Sequence, residues 1–73
     1  MFKKIKIKSK IKSLRYEIER IERLRSRSQA ALLQAIMSSS EPRDEDVEYF
    51  NQYTKQIDEL REKLHELQTL VSA

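Results

Sequence analysis

The residues in this chain that could do chemistry are few. His65 is the single imidazole, and Glu62 and Glu66 stand close to it in sequence. An imidazole near carboxylates can serve as a general base, but a serine nucleophile needs that base held in place by a third group. Nothing in the pattern supplies such an arrangement, and His65 reads as a residue beside an apolar stripe. Asp58, Glu62 and Glu66 recur at helical spacing and could approach a cation. One helix face without a rigid loop makes a poor oxygen cage. The chain has no cysteine and no glycine, so thiolate chemistry, zinc fingers and glycine-rich phosphate loops are excluded. Catalysis, a cofactor, a metal and a small-molecule substrate are therefore not expected.

Charge is the more informative chemistry. Lys3, Lys4, Lys6, Lys8, Lys10, Lys12 and Arg15 fall in the first fifteen residues with no acid among them. That segment carries +7. The other eight basic and twelve acidic residues give −4, which restores the overall +3. Separated charge of this kind points to an oppositely charged partner. Three partners fit: nucleic-acid phosphates held without sequence specificity, an anionic membrane surface approached by Phe2, Ile5 and Ile7 among the lysines, or an acidic protein surface. The plain alternative is a solvated terminus. Arg20, Arg23 and Arg27 form a second basic stripe at helical spacing. Glu17, Glu19 and Glu22 intervene, so an ordinary charged outer face is the preferred reading.

The elements that must carry these groups are helices. Ile7, Ile11, Leu14, Ile18 and Ile21, then Leu32 and Ala35, step by fours and threes. Phe50, Tyr53, Ile57, Leu60, Leu64, Leu67 and Val71 do the same without interruption. Such a seam is the signature of a coiled-coil-like helix pair. Between the two runs lies Ser38-Ser39-Ser40-Glu41-Pro42, where Pro42 disfavours helical geometry at Glu41. Pro42 suits the first turn of a new helix, and Asp44, Glu45, Asp46 and Glu48 suit its positive end.

The expected architecture is all-α and single-domain: a basic arm over 1–8, helix 1 over 9–37, a loop over 38–42 and helix 2 over 43–71. A loop this short makes the helices antiparallel neighbours. The facing seams put Leu32 near Phe50, Arg25 near Ile57, Ile18 near Leu64 and Ile11 near Val71, in a hairpin ~40 Å long. Arg15–Glu19, Glu19–Arg23, Lys55–Glu59 and Glu59–Lys63 are spaced to pair within the helices.

Two seam positions, Arg25 and Ser28, are polar. A polar group there lowers stability but can fix register or oligomeric state, and Arg25 could reach Asp58 or Glu62. Apolar residues outside the seam cluster near the loop as Leu33, Ile36, Met37 and Tyr49. That cluster is expected to be covered by self-association into a four-helix bundle or by a different protein.

Thr54-Lys55-Gln56-Ile57-Asp58 resembles the S-Q-E-L-D signature of small helical hairpins that dephosphorylate sporulation response regulators. Only the aspartate is kept, with conservative changes at the first and fourth positions, so no activity is carried across. The hairpin also loosely resembles plasmid-encoded RNA-binding four-helix bundles in architecture, without a shared motif. Its compact build resembles accessory proteins of phages and mobile elements. The expected function is a non-catalytic protein-binding hairpin acting as adaptor, inhibitor or regulator. A nucleic-acid-binding bundle comes second and a membrane-surface factor third. The expected location is the cytosol of a bacterial cell or a phage-infected host.

Overall fold

Two amphipathic helices fold back on each other through a six-residue connection. The computed structural model describes the backbone of residues 2–72 and the side chains of residues 4–72. Helix α1 runs Phe2–Met37 and helix α2 runs Asp44–Ser72. They pack along their length in a rod of 57 × 16 × 14 Å. Among the described residues there is no strand.

The seam read from the sequence is the seam that closes. Ile18, Ile21 and Ile57 are buried, Ile57 completely at 0% exposure. Tyr53, Leu60 and Leu64 pack around them. Ile7, Ile11, Leu14, Leu32 and Ala35 on α1, and Phe50, Leu67 and Val71 on α2, are half-buried. The heptad continues through Arg25 and Ser28, which are half-buried as well. Ile18 and Leu64 share the core cluster, and Glu22 meets Arg61 across the helices. Both observations agree with the expected register.

Three expectations are corrected. The segment 1–8 is not an arm apart from the helix, because α1 begins at Phe2. Lysine is a good helix former and nothing here breaks the backbone pattern. Repulsion between like charges four apart, such as Lys4–Lys8 and Lys6–Lys10, costs only a few tenths of a kcal/mol each. The molecule is consequently longer than ~40 Å, since 36 helical residues span ~54 Å. By the same register, the first two turns of α1 reach past the last turn of α2. Finally, Pro42 precedes the first turn of α2 rather than sitting in it. The carbonyl of Arg43 accepts from the N–H groups of Asp46 and Val47, at 3.0 and 3.2 Å.

The loop is set by how α1 ends. Ser39 adopts φ 57°. Its N–H donates to the carbonyl of Ile36 at 3.0 Å, and that of Ser40 donates to Ala35 at 2.8 Å. This pair of bonds is the Schellman cap, which satisfies carbonyls that the helix would leave open. Glycine usually takes the left-handed position, because a Cβ there crowds the next carbonyl by roughly 1–2 kcal/mol. Asp44, Glu45 and Asp46 then occupy the first turn of α2, against the positive end of its dipole. We predict that Ser39→Gly raises unfolding stability by about 0.5–1 kcal/mol. Urea denaturation checks this, and a lower midpoint would rule out the left-handed cap as a source of strain.

Candidate functional site

A two-helix rod has no interior in which to place a site, so its candidate sites are its flanks and ends. The two flanks are defined by which side chains meet across the seam. On one, Arg61 Nη2 donates to Glu22 Oε1 at 2.9 Å. Steps of seven from this pair add Lys8, Arg15, Gln29 and Ile36 on α1, and Val47, Thr54 and Gln68 on α2. On the other flank Glu17, Gln56 and Lys63 line a common groove with the seam residues Ile21 and Leu60. Lys63 continues into a second groove with Lys10, Leu14 and Leu67. Steps of seven here add Leu24 and Ala31 on α1, and Tyr49 and Leu70 on α2.

The sequence-derived cluster at the loop end divides between these flanks. Leu33, Ile36 and Met37 are exposed, Ile36 at 61% and Met37 at 84%. Tyr49 is exposed too, but it lies on the opposite flank and stacks on Tyr53, with centroids 6.2 Å apart and planes 18° apart. The residue that belongs beside Ile36 is Val47, which is also exposed and which the sequence reading missed. The signal was available: the register that sets Leu32 against Phe50 brings Ile36 level with the turn holding Val47. Acidic side chains surround this tip, with Glu41, Asp44, Glu45 and Glu48 all exposed. Arg43 is held to Glu45 at 3.3 Å.

The basic residues are displayed around a helix rather than along a free strand. Lys4, Lys6, Lys8, Lys10, Lys12 and Arg15 are all exposed, whereas the side chain of Lys3 lies outside the described residues. Of the apolar residues read toward a membrane surface, Ile5 and Ile7 do not share a face, and the side chain of Phe2 lies outside the described residues. Two residues apart on a helix, Ile5 and Ile7 point about 200° apart. Ile7 is half-buried in the seam line, and Ile5 is exposed. Arg20, Arg23 and Arg27 are exposed on the outer face of α1. Arg23 and Arg27 line a depression together with Glu19 and Glu22, so carboxylates interrupt the stripe.

The polar seam residues are placed where expected but paired differently. Among the described residues the ion pairs are Arg43–Glu45 and Glu22–Arg61. Arg25 forms none with Asp58 or Glu62, and the four spaced pairs within the helices are not closed. Position explains this. Arg25 lies on the seam line, whereas Asp58 and Glu62 are exposed on the outer side of α2. Glu22 and Arg61 occupy flanking positions, where antiparallel helices bring side chains together. An exposed pair of this kind contributes less than about 1 kcal/mol, so it orients the helices more than it holds them.

His65 is exposed on α2, and its backbone carbonyl accepts from the Thr69 hydroxyl at 2.9 Å. Among the described residues, no group of three or more His, Asp or Glu side chains is placed to hold a metal ion. No described helix is long and apolar enough to cross a membrane. No family model, curated protein or solved structure matches the chain.

If Arg25 selects register, Arg25→Leu should raise the melting temperature while broadening the set of associated states. The apolar gain is about 1–2 kcal/mol at a half-buried position. A lower melting point with an unchanged sedimentation profile would reject that role.

Proposed function

We propose that this chain is a non-catalytic helical hairpin of the cytosol that works by docking its loop end onto a partner protein, as adaptor, inhibitor or regulator. The observation that carries this reading is the exposure of Leu33, Ile36, Met37 and Val47 together at one end of the rod. Scattered single apolar residues need no explanation, but a contiguous group does. Covering each such side chain is worth about 1.5–3 kcal/mol, a large increment beside an interior of three isoleucines. The acidic residues around the tip form a charged rim, which suits a partner whose apolar groove is bordered by lysine or arginine. Recognition would follow the helix-in-groove mode, with Leu33, Ile36 and Met37 as spaced anchors.

The test is a double substitution, Ile36→Glu with Met37→Glu, compared with the parent chain by proximity labelling in the source cell. Both residues are exposed, so the fold should be kept, with the melting temperature lowered slightly by two carboxylates at the negative end of the α1 dipole. A partner labelled by the parent and lost at least tenfold in the variant supports the reading. Labelling that is the same for both chains rejects it.

A second reading is favoured by the six exposed cations on the first turns of α1. Carried on a rigid helix, they form a positive rod end able to track phosphates without reading bases. Binding to duplex DNA or RNA should then weaken steeply with salt, by ~0.9 in log K per log salt for each phosphate neutralised on a DNA duplex. Replacing Lys4, Lys6, Lys8 and Lys10 with alanine should remove most of that slope. Salt-insensitive binding, or a slope unchanged by the substitutions, would dismiss this reading.

A further inference from the structure

We infer that the flank bearing Leu24, Ala31, Tyr49 and Leu70 binds a second copy of this chain, antiparallel and side by side. An elongated rod exposes more surface along its whole length than a compact fold of the same mass. Its accessible surface is 6256 Å², against about 4,800 Å² for a compact monomer of this mass. The excess of roughly 1,500 Å² is above the ~800 Å² per partner that a standard interface covers.

The flank itself is layered. Lys10 and Leu70 form the layer at the open end. Glu17 and Lys63 form the next, followed by Leu24 with Gln56, and by Ala31 with Tyr49 near the loop. A groove shared by Glu17, Gln56 and Lys63 fixes the Glu17–Lys63 layer, and one shared by Lys10, Leu14, Lys63 and Leu67 sets Lys10 on the same flank. The heptad repeat supplies the rest. Leu70 is 59% exposed and Tyr49, with one face stacked on Tyr53, is 49% exposed, so both end layers carry an apolar side chain left partly open to solvent. The groove at the open end measures about 430 Å³ and has Leu14 and Leu67 among its lining.

A two-fold axis through the middle of this flank matches the layers in pairs. It sets α1 against α1 and α2 against α2, so Leu70 of one copy meets Tyr49 of the other, whose ring enters the open-end groove, and Lys10 meets Ala31. Leu24 comes against the methylenes of Glu17, and the stem of Lys63 on the neighbouring helix leans over both while its ammonium stays in water. The contact is isologous, so each pairing occurs twice.

Charge decides the direction. Beyond the last layer, the first turns of α1 project past α2, and Lys6 continues the line of Lys10 one turn outward. In the antiparallel dimer Lys6 falls level with Glu45 and Asp46 of the other copy, in the acidic first turn of α2. Within one chain these groups lie at opposite ends of a 57 Å rod, far beyond the ~8–10 Å screening length. A parallel pair would instead set lysines against lysines and carboxylates against carboxylates. A second copy thus supplies both the apolar cover and the countercharge.

The dimer is tested with the full-length chain by sedimentation and by directed cross-linking. The parent should sediment as a dimer at low salt and dissociate as salt rises. Tyr49→Glu and Leu70→Glu, both at exposed positions, should each weaken association by about tenfold or more. Ile36→Glu, on the other flank, should leave it unchanged. Because the chain has no cysteine, Lys10→Cys and Ala31→Cys chains, whose new thiols the two-fold sets opposite each other on facing copies of α1, can be mixed and oxidised. A disulfide should join unlike chains and not like ones. A monomer at every concentration, dissociation by Ile36→Glu, or a disulfide between two Lys10→Cys chains would each overturn the inference. Since Ile36→Glu disturbs the loop-end surface alone, loss of a partner protein and loss of the dimer are separately visible.

Discussion

Everything in this molecule is arranged around the closure of one apolar seam. Ile57 is enclosed by Ile18 and Ile21, with Tyr53, Leu60 and Leu64 packed against this centre. Away from it, burial falls toward both ends, and among the described residues Ile18, Ile21 and Ile57 alone are buried. Each fully buried aliphatic side chain contributes about 1.5–3 kcal/mol, so a few residues near the middle supply a large part of the tertiary stabilisation. The ends of the rod depend on helix propensity, the cap at Ser39 and half-covered side chains. Their stability is local, and that makes them the natural places for a partner to add contacts.

A rod of this kind sorts its surface by heptad position. Seam residues are buried or half-buried, flanking residues range from half-buried to exposed, and outer residues are bathed in solvent. Glu22–Arg61 bridges one flank, whereas the other carries Leu24, Ala31, Tyr49 and Leu70. The tip combines exposed apolar side chains with carboxylates that are already favourable at the N-terminus of α2. These acidic groups thereby serve the N-terminus of α2, and in the proposed docking the same groups would form its charged rim. At the opposite end the lysines gain no comparable benefit from α1. They sit near its N-terminus, where the dipole disfavours cations, so helix stability does not account for their accumulation.

Two side chains show how a residue's role follows from its position on the seam. Arg25 sits on the line of contact, where its guanidinium displaces an apolar side chain without reaching the carboxylates on the outer side of α2. Ser39 is a serine where the backbone geometry favours glycine, so the turn is held by its hydrogen bonds and by helix packing on either side. In both cases local preference yields to the register of the seam, as expected when tertiary packing supplies most of the energy of short helices.

The sequence by itself determined the helical class, the antiparallel turn, the seam and its register. These follow from a repeat of threes and fours interrupted only around Pro42, and periodic burial over many turns leaves one consistent solution. It also made the charge asymmetry plain. Only the tertiary structure decided how far α1 extends, because propensity and like-charge repulsion among the lysines oppose each other by amounts too small to judge by inspection. The register already implied that Val47 rather than Tyr49 shares a flank with Ile36, and the Glu22–Arg61 pair and the Glu17–Lys63 groove of the folded pair made the two flanks explicit. Membership of a flank is a property of the helix pair, and it exists once the two stripes have met.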